Sequence, residues 1–378
     1  MLISSSITQF PTVQKLVTIW VDRYKPQLPF HAQRSSVFDS LVYAASPDGR
    51  QETVAKLHRS LIKLNCEYAE AQTRKLHEYA SSATNGNETK HILQCTVEIY
   101  ATLLEFYAQS TYTPDQALQS SKDVANLAAA GLNILDVVEL ASLLEPLLLE
   151  YQERHQISDD WAKIGFLTTH LNFANVALLN NLTTIERIFL KPYFNFIEEQ
   201  VALPWQRICA AASTHQFNSP AFQLVNHMLP RADEIAHRVY TGLVRQFPRL
   251  TMRRGRLDHP GVQHSCLRDL NMFQAYLWLC MLEGSLAPVE DELVRLCTMV
   301  MPRVGVPWEM IVQWNQLLMA GIMEQSLLGQ QSFLEPYTSG FIRAFQQSQD
   351  HFVTDAYLDH SLTHRLTHQL NPQRNITE

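Results

Sequence analysis

The chain has 378 residues, of which 46% are hydrophobic and 18% are charged, and its formal net charge is −7. This composition is too apolar for an intrinsically disordered protein, and it lacks the basic excess that is typical of general nucleic-acid binders. With only 12 glycines, the chain has few sites for tight turns, which favours long helices over a many-stranded β fold.

The first residues, MLISSSITQFPTVQKL, lack a basic segment followed by an apolar one, so we expect no signal peptide. No run of 18 apolar residues occurs, which predicts no membrane span and a cytoplasmic protein. The six cysteines are widely spaced and form no CxxC pair, so neither a disulfide framework nor a zinc site is predicted. They are Cys66, Cys95, Cys209, Cys266, Cys280 and Cys297.

The N-terminal half reads as a helical bundle, which we place at residues 1–170. Apolar residues at helical spacing predict one helix over 52–79, and the polar stretch 81–89 predicts a linker. Two amphipathic helices follow over 91–151, separated at 111–115. Residues 129–140 (AAGLNILDVVEL) resemble the helical N-terminal domain of RsbU-type regulators, although a plain helical bundle explains the same pattern.

The second half continues as helices, so the predicted fold class is all-α. Residues 159–199 are apolar on every helical face, which indicates a buried or paired element. Further helices are predicted over 221–247, 264–283, 288–301 and 308–328, each ended by a glycine or a proline. We place a second domain at residues 171–345 and a polar tail at 346–378.

The most informative residues are Cys266, Arg268 and Asp269. On a helix Cys266 and Asp269 share one face, and the long side chain of Arg268 reaches from the side. A linear tetrapyrrole needs these groups: a thiol for a thioether bond, a carboxylate for its pyrrole N–H groups, and a guanidinium for its propionate. His264 and Arg268 are expected to favour the reactive thiolate of Cys266.

Cys266-x-Arg-Asp, at the start of a helix that runs to Cys280 and Gly284, resembles the chromophore-bearing helix of phycobiliproteins. Upstream, the helix ending in Tyr240 and the Phe-Pro pair at 247–248 lie where this family has its Tyr and Phe-Pro turn. Downstream, the acidic helix start at 288–292 and the Val-Pro-Trp turn ending at Trp308 also match. The resemblance runs from near residue 185 to near residue 325.

The resemblance implies a globin-fold domain of cyanobacterial or algal origin, with a bilin of the phycocyanobilin type held covalently on Cys266. It implies that Arg268 clamps the propionate, that Asp269 binds the pyrroles, and that Trp308 lies near the pigment. It also implies a homodimer or a phycobiliprotein-related partner.

Three departures favour an accessory or regulatory protein over an antenna subunit. Asn271, Met272 and Phe273 stand where the family usually places tyrosines, the loop 253–256 is unusually basic, and a long N-terminal half precedes the domain.

Other interpretations stay open. The alternative interpretation of Cys266 is a buried structural thiol, which would make the chain a pigment-free, helical protein-interaction regulator. A globin-like domain also offers haem as a minor alternative, through His227, His237, His259 or His264, although none stands at a clear proximal position. Residues His360, His364 and His368 share one helical face and could chelate zinc or nickel, but a solvated terminal helix is the simpler interpretation. No nucleotide-binding loop, zinc-protease motif or nucleophile elbow occurs, so we expect no enzyme.

Overall fold

A computed structural model describes residues 9–24, 35–76, 86–109, 137–156 and 161–369. In this part of the chain the regular structure is helical except for one short hairpin, in which Thr251–Met252 pairs with Gly255–Arg256 in antiparallel fashion. The predicted all-α fold class is therefore confirmed. None of the described helices is both long enough and apolar enough to cross a membrane.

The N-terminal half forms eight described helices, numbered here in chain order. They are α1 Pro11–Val21, α2 Ser35–Ala45, α3 Pro47–Lys56, α4 Arg59–Leu76, α5 Gly86–Gln109, α6 Val137–Gln156, α7 Trp161–Leu179 and α8 Thr184–Ala202. Two have clear start signals: the Ser46 side chain accepts a hydrogen bond from the Gly49 N–H at α3, and Thr183 and Glu186 form a capping box at α8.

The prediction of one helix over 52–79 is wrong, because α3 ends at Lys56 and α4 begins at Arg59. Leu57 leaves helical geometry and is buried in the core, and His58 Nδ1 then accepts a hydrogen bond from the Leu61 N–H, which starts the next helix. The predicted linker at 81–89 is also too long, since α5 already begins at Gly86. The predicted separator at 111–115 and most of the RsbU-like stretch lie outside the described residues.

The C-terminal half follows most of the predicted helices and breaks, but the single helix predicted over 221–247 is wrong, because a 3-10 turn at Leu229–Arg231 divides it in two. Its elements are α9 Trp205–Ser213, α10 Pro220–Met228, α11 Ala232–Gln246, the hairpin, α12 Pro260–Glu283, a π-helical turn Pro288–Leu293 that leads into α13 Val294–Val300, α14 Trp308–Gln325 and α15 Leu328–Gln369. Helix α12 starts one turn earlier than predicted, because Pro260 occupies its first position and His259 Nδ1 accepts from the Gly261 N–H.

The two halves share one hydrophobic core. Helix α7, which was predicted to be apolar on every face, packs against α4, α6, α8 and α13. Trp20 of α1 stacks on Trp205 of α9 with ring centroids 4.4 Å apart. The predicted boundary at 170/171 falls inside α7 and the boundary at 345/346 falls inside α15, so the domain limits stay predictions.

Candidate functional site at Cys266

The first half of α12 carries Cys266, Arg268 and Asp269, and all three side chains line one cavity of about 100 Å³. The cavity lies between α12, the hairpin, the segment 300–306, α14 and the end of α4. Its other lining residues are Leu76, Met252, Arg254, Val262, Ser265, Val300, Met301, Val304, Val306, Met310 and Trp314. The predicted clustering of thiol, guanidinium and carboxylate is therefore present at one place.

The state of the Cys266 thiol differs from the prediction. Only 6% of the residue is exposed, and burial, followed by the nearby Asp269 carboxylate, raises the pKa of the thiol to about 12, against a smaller opposing effect of Arg268. His264 does not help, because its Nε2 lies 3.1 Å from both carboxylate oxygens of Glu198. The predicted thiolate is wrong: burial outweighs the neighbouring cation, and Cys266 is a neutral thiol.

Arg268 is held between two carboxylates. Its Nη1 donates to Glu198 Oε1 at 3.1 Å, while its Nε and Nη2 donate to Asp269 Oδ1 at 2.9 and 2.6 Å. Burial opposes its charge, but the two carboxylates raise the pKa of the guanidinium above its ordinary value. For Asp269 burial dominates, so the pKa of the carboxyl is raised despite the bonds from Arg268. Both side chains are thus largely buried and mutually paired.

Glu198 of α8 is the residue of this site that the sequence analysis missed. Its side chain is 1% exposed and accepts hydrogen bonds from Asn172 at 3.3 Å, Asn175 at 3.1 Å, and Arg268. Burial alone would raise the pKa of Glu198, but His264, Arg268 and the hydrogen bond from Asn172 together lower it to about 2. The available signal was a glutamate within the aromatic-rich end of α8, since a carboxylate that is buried there needs partners.

The basic loop is also part of the site. Arg254 Nη1 donates to Asn172 Oδ1 at 2.7 Å and to Ser265 Oγ at 3.3 Å, and its guanidinium lies 4.5 Å from the ring centroid of Phe173. Burial, together with the nearby charge of Arg268, lowers the pKa of Arg254. Because Asn172 and Phe173 belong to α7, this contact joins the N-terminal half directly to the helix that carries Cys266.

Trp308 lies away from the cavity. Its Nε1 donates to the Phe345 carbonyl at 3.2 Å, and its ring stacks on Phe345 with centroids 6.0 Å apart. Trp314, nearly two turns later on α14, lines the cavity instead. Its buried Nε1 has no hydrogen-bond partner among the described residues. The structure therefore brings together three of the four predicted site residues, and adds a tryptophan with an unused donor.

A bilin can be tested against this site in two respects. The chemical groups match, since the residues that line this one space include a thiol, a carboxylate, a guanidinium and the tryptophan Trp314. The volume does not match a whole pigment, because sites for organic ligands of this class usually enclose about 300–1,000 Å³. A space of about 100 Å³ is sufficient for roughly one ring, so a four-ring pigment would need the neighbouring N-terminal helices to move.

The four histidines considered as haem ligands have other partners. His227 Nε2 lies 3.3 Å from the Gln325 carbonyl, His237 Nδ1 lies 2.8 Å from the Asp233 carbonyl, His259 caps α12, and His264 contacts Glu198. None of them lines the cavity at Cys266 within the part of the chain described. His360, His364 and His368 fall in the last turns of α15, where the side chains lie outside the description.

Comparison with known proteins finds one family match, in the C-terminal half. Residues 207–345, from α9 to the middle of α15, match the family model of the phycobilisome proteins. This confirms the resemblance predicted for the C-terminal half. No curated protein and no solved structure matches the chain. The RsbU-type resemblance of the N-terminal half receives no support and stays a prediction.

Proposed function

We propose that this chain, whose residues 207–345 match the family model of the phycobilisome proteins, is an accessory or regulatory relative of the phycobiliproteins that takes up a linear tetrapyrrole on Cys266. One observation carries the proposal: the thiol of Cys266, the guanidinium of Arg268 and the carboxylate of Asp269 line the same cavity. The family's name describes a pigment-bearing assembly, and this is the constellation that pigment attachment requires.

The bound pigment would supply a conjugated chromophore. Thioether formation adds the Cys266 S–H bond across a carbon–carbon double bond, so the sulfur joins one carbon and the proton goes to its neighbour, with no oxidant and no leaving group. Since the thiolate is the nucleophile and the thiol has a pKa of about 12, only roughly one thiol in ten thousand is ionised at pH 8. Attachment should therefore be slow at neutral pH and faster as the pH rises.

The remaining residues have assigned roles in this proposal. Arg268 stays positively charged and can receive an acidic substituent. Asp269 uses Oδ1 for Arg268, so Oδ2 remains the oxygen that faces a pyrrole N–H donor. Because the cavity is small, a ligand larger than one ring displaces Leu76 of α4 or the α7 residues that are bonded to Arg254. The N-terminal half would in this way respond to the ligand. Occupancy would thereby be transmitted to the N-terminal helices.

The test is to produce the full chain together with a bilin-making pathway and to record its absorption spectrum. After denaturation, zinc-enhanced fluorescence of the separated chain reports covalent attachment. We expect a coloured protein whose fluorescence is lost in Cys266→Ser. The matched control is Cys280→Ser, a buried cysteine on the same helix that lies outside the cavity lining, and it should keep the pigment.

A second candidate function is a pigment-free protein-interaction regulator. It is favoured by the small cavity and by the pairing of Arg268 with Glu198 and Asp269, which occupies the groups that a pigment would use. In that case the folded wild-type chain stays colourless at every pH at which it is folded, and Cys266→Ser is indistinguishable from it. This result would reject the first candidate.

A further inference from the structure

Three potential metal ligands converge between α5 and α6, in the N-terminal half. His91 and Cys95 lie one turn apart on α5, and Glu150 projects from α6. His91 Nε2 is 3.3 Å from Cys95 Sγ and 3.2 Å from Glu150 Oε1, and all three ligand atoms lie within 4.8 Å of one another. This group shares no residue with the cavity at Cys266.

These separations suit a tetrahedral zinc ion. Zinc binds sulfur at about 2.3 Å and imidazole nitrogen or carboxylate oxygen at about 2.0–2.2 Å, so neighbouring ligand atoms stand roughly 3.2–3.6 Å apart. The two distances from His91 Nε2 already fall at or within this range. Only the Cys95 and Glu150 atoms would need a small rotamer adjustment.

The three side chains differ in burial, so that one ligand is held in the core and the others are accessible from solvent. Cys95 is 5% exposed and is held in the core, whereas the Glu150 side chain is 46% exposed and the His91 side chain 24% exposed. An ion can therefore arrive from the Glu150 side and meet a preformed imidazole and sulfur behind it.

The chemistry of the ligands selects the class of ion. A thiolate with an imidazole favours zinc and similar transition metals, whereas calcium and magnesium prefer sites made of oxygen ligands. Three protein ligands leave a fourth position for water or another ligand, as in zinc sites that remain open. We infer that His91, Cys95 and Glu150 form a binding site for zinc-class transition metal ions that fastens α5 to α6.

The site has a simple mass balance. Binding replaces the proton of the Cys95 thiol with the metal ion, so one proton is released and no electron is transferred. Because the ligands come from two helices, the ion should stabilise the folded chain in proportion to its concentration above the dissociation constant.

Cobalt(II) is the decisive probe, because thiolate coordination produces a sulfur-to-cobalt charge-transfer band that histidine alone cannot produce. The full, reduced chain is titrated with cobalt and then with zinc. We expect the band to appear at one equivalent, zinc to remove it, and Cys95→Ser to abolish it. The matched control is Cys66→Ser, a buried cysteine of α4 in the same bundle, which should keep the band.

Two further variants control for misfolding and for metal binding by the histidines near the end of the chain. Glu150→Gln alters a partly exposed side chain and should fold; since loss of an outer-sphere partner already costs about 10–100-fold in affinity, loss of this ligand should cost at least as much. Replacing His360, His364 and His368 with alanine should leave the band unchanged. No sulfur band in the wild type, a band that persists in Cys95→Ser, or unchanged zinc affinity in Glu150→Gln would each overturn the inference.

Discussion

Replacing Glu198 with glutamine tests the centre of the polar network behind Cys266. The substitution keeps the shape of the side chain but removes the negative charge that faces Arg268 and His264, and it leaves a buried guanidinium with Asp269 as its remaining carboxylate partner. The free energy of unfolding should therefore fall substantially.

The magnitude follows from the pKa. Lowering the pKa of Glu198 from 4.5 to about 2 corresponds to roughly 3 kcal/mol in favour of the charged form. Breaking a buried ion pair by removing one partner typically costs about 3–5 kcal/mol. We expect Glu198→Gln to lower the free energy of unfolding at pH 7 by about 3 kcal/mol, as measured by urea denaturation followed by far-ultraviolet circular dichroism.

The pH dependence gives a second, independent readout. Because the folded-state pKa lies below the unfolded one, the contribution of Glu198 is complete above about pH 4.5 and is lost as the pH falls towards 2. The difference in stability between the wild type and the glutamine variant should shrink across this window.

The control for this prediction is Glu234→Gln, which alters an exposed carboxylate of α11 that pairs with Arg238 one turn later on that helix. It should cost less than about 0.5 kcal/mol. A loss below about 1 kcal/mol for Glu198→Gln would contradict the view that this network stabilises the fold, since that is the range of a surface pair.

Two other predictions concern buried groups and helix starts. Burial lowers the pKa of His170 to about 4, and neither ring nitrogen has a described hydrogen-bond partner. The free energy of unfolding of the wild type should therefore fall as the pH falls from about 6.5 to about 4. His170→Leu should flatten this part of the profile of stability against pH. A profile unchanged by the substitution would contradict the assignment. Thr183→Ala removes the capping box of α8 and should lower the free energy of unfolding by about 1 kcal/mol. The control in the same denaturation experiment is Thr241→Ala, which alters an exposed threonine in the middle of a helix. Equal losses in the two variants would contradict a stabilising role of the Thr183 cap.

The sequence predicted those features that depend on neighbours along the chain. Apolar spacing and Gly or Pro stop signals located most helices, because both act over one or two turns. Cys266 and Asp269 were correctly expected on one face, since residues three apart on a helix are neighbours. The error at Leu57 concerns a helix break at a residue that is buried in the core, and the error at Gly86 concerns the exact first residue of a helix, which local patterns locate poorly.

The features that were missed depend on residues far apart in sequence. Glu198 meets His264 and Arg268 across 66 and 70 positions, and no periodic pattern encodes such a pairing. The ionisation of Cys266 was predicted from His264 and Arg268, but burial, which exists only in the folded chain, outweighs the effect of Arg268. In the proposed metal site, Glu150 lies on a different helix from His91 and Cys95, so the absence of a CxxC pair has no bearing on that proposal.

The same contacts explain why the N-terminal half belongs to the candidate site and is not merely joined to it. Asn172 of α7 donates a hydrogen bond to Glu198 of α8 and accepts one from Arg254 of the hairpin. It therefore links α7 to the two charged residues that lie next to α12. Leu76 of α4 closes the cavity and accepts a hydrogen bond from Arg253 through its carbonyl at 3.1 Å. A ligand that binds the open cavity more tightly than the closed one shifts the equilibrium towards the open arrangement. The size of that shift is limited by the difference between its two binding free energies. If opening the cavity breaks these contacts, a ligand larger than one ring must supply the energy that they contribute, and we expect Glu198→Gln, which weakens them, to make Cys266 easier to reach.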